Sequence, residues 1–360
     1  MPTIEHLDVR AATIPTDAPE SDGTLSWDRT TIVVVRAHGG GATGLGWTYG
    51  DAAIATLIAG KLAGVVAGMD ALAPAAAWLA AQHALRNDGR SGLGGMAISA
   101  VDVALWDLAS RLHGCALSTL AGRVRDAVPV YGSGGFCSYS DEQLATQLGA
   151  WAAAGIPRVK LKVGRDPSAD LHRIGVARAA VGDDVALFVD ANGAFHPAEA
   201  LGWAGRYAAQ GVVWFEEPVS SDDHPGLRLL RDRAPAGMAI AAGEYASTLA
   251  DFVPLCDVVH VLQADVTRCG GVSGFLRAAA LAQARQLPLS AHCCPSIHAH
   301  VGCAAEALLH VEYFHDHARI ERMLFDGVLD PGGGALRPDL SRPGLGLELR
   351  EEVLAGYAVA

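Results

Sequence analysis

Lysine is almost missing from this chain: its 360 residues include 24 arginines but only Lys61, Lys160 and Lys162. A lysine-rich surface is excluded, and the few lysines present gain weight. Paired cysteines are also missing. Seven cysteines, an odd number without paired spacing, exclude a disulfide scaffold and fit a reducing compartment. No G-x-G-x-x-G follows a strand-like run and there is no P-loop, so the common phosphate-cradling turns are absent. The opening MPTIEHLDVR has acidic residues early and no apolar run behind a basic start, so no secretory signal is expected and the cytoplasm is. The most apolar long stretch, 52–69, is broken by Lys61 and glycines and bounded by Asp51 and Asp70. It reads as a core helix, not a membrane span. A net charge of −12 argues against nucleic acid or an anionic membrane as partner. What is present is core: 51% of residues are hydrophobic and 18% charged, as in one large globular domain or two unequal ones.

The first 125 residues differ from the rest. Strand-like text at 4–9 and 30–36 flanks a polar segment, TDAPESDGTLSWDRT (16–30), that reads as a loop. Three helical stretches follow. In the third, 98–113, Ile98, Val101, Leu105, Leu108 and Leu112 recur at helical spacing before Gly114. This is an α+β module, expected over 1–125. From Val128 onward eight short apolar runs alternate with helix-length spacers: VPVYG, VKLKV, ALFVDAN, VVWFEEP, MAIAAGE, VVHVLQAD, LPLSAH and LLHVEYF. That rhythm predicts a (β/α)8 TIM barrel over 126–325. The Gly/Pro-rich remainder, 326–360, is expected to return onto the first module and complete it as a cap.

Catalytic groups in such a barrel come from the C-terminal ends of the strands. Every strand after the first places an ionisable group there: Lys160 and Lys162; Asp190, with Asn192; Glu216 and Glu217; Glu244; Asp265; His292; and Glu312. Asp190, Glu216 and Glu244 on three adjacent strands would converge, and carboxylates that close need a cation. All-oxygen donors favour Mg²⁺ over zinc. Along FEEP only one glutamate can face inward, and alternation alone does not say which. Asp265 and His292 on adjacent strands fit an imidazole–carboxylate pair that fixes the tautomer. Lys162 lies nearly across the barrel from His292, so a substrate would have an acid/base group on each face. Two lysines one residue apart should lower each other's pKa, and unlike arginine a lysine can give up its proton.

These motifs, KLK (160–162), VDAN (189–192), FEEP (215–218), AGE (242–244), QADVTRCGG (263–271), SAH (290–292) and HVEYF (310–314), together resemble the enolase superfamily and its mandelate racemase subgroup along the whole chain. The resemblance implies Glu216 as the metal-binding member of FEEP and Lys162 and His292 as the two bases. It also implies Lys160 against the substrate carboxylate, Glu312 beside the enediolate opposite the metal, and Asn192 as a substrate contact. The chemistry implied is Mg²⁺-assisted removal of the proton α to a carboxylate. Members are commonly dimers or larger, so a homo-oligomer is expected.

The muconate-type branch places a second lysine at the sixth strand, and this chain has none after Lys162. The 16–30 segment offers Asp17, Glu20, Ser21, Asp22, Ser26, Asp28 and Arg29, with Trp27 read as its one large apolar contact. Over a site, it suits a polyhydroxylated acid. The expectation is an acid-sugar dehydratase forming a 2-keto-3-deoxy acid, with a 2-hydroxy-acid racemase or epimerase as the alternative. HCCPSIHAH (292–300) and FHDH (314–317) are rich in His and Cys, as in a zinc hydrolase. However, the first strand lacks the H-x-H such enzymes carry, so His298 and His300 are assigned to the loop and helix beyond the seventh strand. Cys293 and Cys294 receive no role.

Overall fold

The structure, a computed structural model, describes residues 1–359. Three antiparallel strands, β1 (Ile4–Ser21), β2 (Ser26–Gly39) and β3 (Ala42–Tyr49), open the chain in the order β1-β2-β3. Ile32, Val33, Val34 and Val35 are all buried, which explains why this run is apolar without alternation. Val33 and Val35 pack with Ile98, Val101, Leu105 and Leu108 on the helix Leu93–Leu112, whereas Ile32 and Val34 join the barrel's core. The sheet sits close on that helix because Gly46 has no side chain: a Cβ there would lie 2.4 Å from the Ala100 carbonyl oxygen.

The helix Leu93–Leu112 is long and apolar enough to cross a membrane by length and composition, but 83% of its most apolar window is buried within the fold. Asp102 accepts from the Ser273 amide at 2.9 Å and Trp106 donates to Ser273 Oγ at 2.9 Å, fastening the helix to the barrel. The stretch 52–69 is helical from Ala53 to Val66, with a π-helical turn over Ile58–Leu62. Ile54, Ile58, Leu62 and Val66, four apart, are its buried residues.

The segment read as a loop over 16–30 is not one. β1 and β2 continue through it as a hairpin, with Ser21 paired to Ser26 and a register shift between Pro15 and Glu20. Its polar composition hid the strands, because only Ala18 and Trp27 of the hairpin pack on an apolar cluster, that of Phe136, Tyr139, Cys293 and Phe314, and so few apolar positions give no alternation. The tip is fixed by Asp22, whose Oδ1 accepts from the amides of Thr24 and Leu25, both at 2.7 Å.

Eight parallel strands follow: β4 (Val128–Gly134), β5 (Arg158–Lys162), β6 (Ala186–Asp190), β7 (Val212–Glu216), β8 (Ala239–Ala242), β9 (Val261–Ala264), β10 (Leu289–Ala291) and β11 (Leu308–Phe314). Each pairs with the next, and β11 pairs back onto β4 (Val311 with Val130, Glu312 with Tyr131), closing the barrel. Beyond it, β12 (Phe325–Asp326) pairs with β14 (Glu348–Leu349), and β13 (Ala335–Leu336) pairs with the start of β4. The return thus lies along the barrel floor and then on the cap, where the Leu345 amide donates to buried Asp107 and the Val359 amide to the Ala11 carbonyl.

Candidate active site

Strand periodicity of two builds the site in layers. Tyr131, Phe188, Trp214, Ala241 and Val261 form an apolar layer inside the barrel, with the Phe188 and Trp214 rings stacked at 5.0 Å and His310 5.3 Å from Trp214. Two residues further along the same strands come Asp190, Glu216 and Glu312, and the same step leads from Gln263 to Asp265 and from Ser290 to His292. The question left open by FEEP is thereby answered: Glu216 shares a face with Trp214, whose Nε1 donates to Glu216 Oε2 at 2.9 Å. Glu217 lies past the strand end at φ +35°, also buried.

Five buried carboxylates, Asp190, Glu216, Glu217, Glu244 and Glu312, crowd around two buried lysines. One oxygen from each of Asp190, Glu216 and Glu244 lies within 4.8 Å of the other two. Lys162 Nζ is 2.6 Å from Asp190 Oδ2; Lys160 Nζ touches Glu216 and stands 2.7 Å from Glu312 and 3.4 Å from Asp190. Burial pushes both ammoniums down, and Lys160 pushes Lys162 down further, as two neighbouring cations should. The carboxylates outweigh these effects: Glu216 and Glu312 hold Lys160, and Asp190 holds Lys162, above the usual lysine range. The mutually lowered pair expected from the sequence is therefore corrected; its premise omitted the ring of acids. Glu216 itself is pushed up to about 8 by burial and the neighbouring carboxylates, against the pull of Lys160.

Across the barrel, His292 Nδ1 faces Asp265 Oδ2 at 2.8 Å, while Asp265 Oδ1 accepts from the Thr267 amide and hydroxyl, both at 2.7 Å. Burial lowers the imidazole's pKa, but Glu244, Glu312 and Asp265 overcome it and hold His292 above the usual histidine range. His292 Nε2 points the other way, 3.3 Å from Glu244 Oε2 and 3.6 Å from Glu312 Oε2. A continuous polar path thus runs from Lys162 through Asp190 and Glu244 to His292.

These groups open into a cavity of about 400 Å³ between the barrel mouth and the cap. Lys162, Asn192, Glu244, His292 and Glu312 line it from the barrel, and Asp22, Leu25, Trp27 and Arg29 from the hairpin. Asn192 Oδ1 is buried without a partner, and its backbone is left-handed at φ +46°. Gly23 lets the hairpin tip reach this far: a Cβ there would meet the Ala191 carbonyl oxygen at 2.3 Å. Of the other hairpin residues, Glu20 and Ser21 are buried behind the wall, and Asp17 pairs with His315 at 2.9 Å. Leu25 is an apolar contact that the sequence reading passed over in favour of Trp27.

Arg268 and Tyr245, which the sequence reading gave no role, also line the cavity, as do Cys293, left there without a role, and His317 of FHDH. Arg268 could have been found three residues after Asp265, and Tyr245 directly after Glu244; the guanidinium lies 5.1 Å over the Tyr245 ring. His298 and His300 lie in the helix Pro295–Cys303, where His298 Nδ1 donates to the Cys293 carbonyl at 2.7 Å and its Nε2 accepts from the Val266 amide at 3.1 Å.

Residues 7–122 match the profile of the mandelate racemase / muconate lactonizing enzyme N-terminal domain, and residues 143–353 that of the enolase C-terminal domain-like family. A 3,6-anhydro-alpha-L-galactonate cycloisomerase from Streptomyces coelicolor is 33% identical over 98% of each chain. The crystal structure of a mandelate racemase/muconate lactonizing enzyme-like protein from Rubrobacter xylanophilus superposes with a TM-score of 0.98 at 58% identity, covering 99% of this chain and all of the other. That of L-talarate dehydratase from Polaromonas sp., complexed with Mg and L-glucarate, has a TM-score of 0.89 at 30% identity and covers 100% and 98%.

Proposed function

Because the chain belongs to the mandelate racemase and muconate lactonizing enzyme family of the enolase superfamily, we propose that it removes the proton α to the carboxylate of an acid sugar and expels the β-hydroxyl, forming a 2-keto-3-deoxy acid. The observation that carries this reading is the opposition of Lys162 and the Asp265-backed His292 across one polar cavity, with the acidic triad bridging them. In this division of the chain, 1–125 supplies the hairpin that covers the substrate, 126–325 the chemistry, and 326–360 the strap between them.

The donors fit a hard divalent cation. Asp190, Glu216 and Glu244 offer only oxygen, they are buried, and Glu244 Oε2 lacks a hydrogen-bond donor. Bound there, Mg²⁺ supplies positive charge to the substrate carboxylate and to the enediolate formed from it. Relatives of the chain have been solved with magnesium bound. Asp190, the ion-pair partner of Lys162, would also be one of the residues holding the cation, and with Asp190 so engaged the Lys162 amine would be freer to give up its proton and act as base. Lys160 sits against the carboxylate, Glu312 beside the developing enediolate, and Asn192 and Trp27 against the remaining hydroxyls.

The steps balance. Lys162 Nζ takes the α-proton and its electron pair enters the enediolate. Collapse of the enediolate breaks the β-carbon–oxygen bond, and His292 Nε2 gives its proton to the leaving oxygen. Water leaves, and the enol becomes the 2-keto acid. A raised His292 pKa suits that donor role near neutrality.

A second reading has its own support, since the cycloisomerase from Streptomyces coelicolor matches over 98% of the chain. If the β-oxygen belongs to a ring rather than a free hydroxyl, the same elimination opens the ring and no water is lost. Proton NMR in D₂O, with Mg²⁺ and pooled acid sugars, their cyclic forms and 2-hydroxy acids, tests both. A deuterated methylene beside a ketone arising from an open-chain acid supports dehydration; the same signal from a cyclic acid supports cycloisomerisation. Loss of an α-proton signal with no new product means racemisation or epimerisation, and no exchange with any carboxylate overturns proton abstraction itself.

A further inference from the structure

Next to the all-oxygen triad lies a second constellation of different chemistry. His292 Nε2, Cys293 Sγ and Glu312 Oε2 stand 3.3 Å (N to S), 3.4 Å (S to O) and 3.6 Å (N to O) apart. Zinc holds nitrogen and oxygen donors at about 2.0–2.2 Å and sulfur at about 2.3 Å, so neighbouring corners of its tetrahedron are about 3.3–3.7 Å apart. The three separations fall within that range, so small side-chain shifts would bring the donors to one face of such a tetrahedron.

Each donor is also aimed from behind. Asp265 occupies His292 Nδ1 at 2.8 Å and leaves Nε2 free, the carboxylate–histidine arrangement that supports zinc ligands. Lys160 holds the other oxygen of Glu312 at 2.7 Å, and the Cys293 amide donates to Glu312 Oε2 at 2.9 Å. Cys293 is left-handed at φ +54°, an uncommon conformation for a residue with a side chain, and lines the cavity with the other two. Cys294 is left-handed too, at φ +42°, but it lies in the main barrel core and does not line the cavity, whereas Cys293 sits at the cavity wall beside a small cluster of Phe136, Tyr139 and Phe314.

We propose that His292, Cys293 and Glu312 form a binding site for a soft divalent cation, zinc above all, distinct from the hard-cation triad, and that its occupation switches the enzyme off. The mixed N, S, O donor set selects zinc over magnesium. The metal would replace the thiol proton of Cys293 and the Nε2 proton of His292, both released to solvent, and so take the lone pair through which His292 would hold its proton. Binding itself stands on the geometry alone; the inhibition rests on the role proposed for His292.

Cobalt(II) reports thiolate ligation by colour, so the test needs no substrate. With saturating Mg²⁺ present, one equivalent of Co²⁺ should give a sulfur-to-cobalt charge-transfer band with tetrahedral d–d absorption, bleached by zinc and lost in Cys293→Ser. Cys294→Ser should retain it. Where turnover is measurable, zinc should inhibit the wild type, and Cys293→Ser should raise the half-inhibiting zinc concentration at least about tenfold. Absence of the band in the wild type, or its persistence in Cys293→Ser, overturns the proposal, as does zinc inhibition that Mg²⁺ relieves equally in both proteins. Cys293→Ala serves if the serine variant fails to fold, and the wild-type spectrum decides without either.

Discussion

Replacing Asp265 by Asn should disable His292 while scarcely changing the shape of the site. Asp265 Oδ1 accepts two donors from Thr267 at 2.7 Å, and Oδ2 faces His292 Nδ1 at 2.8 Å. An asparagine must keep its carbonyl toward the Thr267 amide, so its NH₂ group turns toward Nδ1. The imidazole then accepts at Nδ1 and carries its proton on Nε2, the tautomer opposite to the one Asp265 fixes. The charge that stabilises the imidazolium is lost as well, and the His292 pKa falls. Losing a positioned acid/base group costs about 10²- to 10⁴-fold in rate, or about 3–5 kcal/mol of barrier. The sign for pH follows. A donor must be protonated, so wild-type turnover falls as pH rises through the elevated His292 pKa, and in Asp265→Asn this limb moves to lower pH. The assay is the rate of 2-keto acid formation across pH, with ¹⁵N NMR of the imidazole reporting the tautomer. A turnover within tenfold of wild type, with the high-pH limb unmoved, would refute the pairing as the source of His292 reactivity.

Lys162→Ala and His292→Asn should each abolish turnover and leave the fold intact; for a racemase each should still exchange the α-proton of one enantiomer in D₂O, and wild-type turnover in either removes that residue from the chemistry. Gly23→Ala puts a Cβ 2.3 Å from the Ala191 and 2.8 Å from the Val163 carbonyl oxygens, both backbone. Overpacking of about 1–3 kcal/mol should lift the hairpin tip and raise KM about 5- to 100-fold with a smaller effect on kcat, and an unchanged KM would separate the hairpin from substrate binding. Glu20 is raised from 4.5 to about 8 by burial and by Asp316, against the Trp27 hydrogen bond. Between those values the folded chain holds a proton that the unfolded chain releases, so its contribution is full below about pH 4.5 and lost as pH rises through about 8. Glu20→Gln should therefore gain about 2–5 kcal/mol relative to wild type between pH 5 and pH 8.5 in denaturant titrations; parallel pH profiles would place the cost elsewhere.

The barrel was legible because its signal is periodic and local. Each strand carries its own apolar run, and closure follows from having eight of them. Asp190, Glu244, Asp265 and His292 could be picked out because strand ends in a barrel share one mouth, whereas the choice of Glu216 over Glu217 needed the family resemblance. The hairpin at 16–30 was misread for the opposite reason. Its partners are Asn192 and His315, far away in the chain, and the turn held by Asp22 is coded in four residues that also suit a solvated loop. The state of the lysines was misjudged because pairwise repulsion is readable along the strand, while the acids paired with them arrive from three other strands. Cys293 and Arg268 sit beyond strand ends in irregular turns, where spacing fixes no direction.

The scarcity of lysine now has two separate causes at its two conspicuous positions. At 160 the reason is compactness. The ammonium is fully buried, within ion-pair reach of Asp190, Glu216 and Glu312, and 5.3 Å over the Tyr131 ring. A guanidinium carries the same charge on a planar fork of five donors, whereas the three acids here converge on a single ammonium. At 162 charge alone is not the requirement. Lys162 lines the cavity and pairs with one oxygen of Asp190, a geometry an arginine could reproduce, but an arginine there could not give up its proton. The first lysine thus keeps its proton in the ring of acids throughout. The second is held by Asp190 alone, an oxygen donor that a bound cation would also claim, which is why the proposed function assigns the base to Lys162 and not to Lys160.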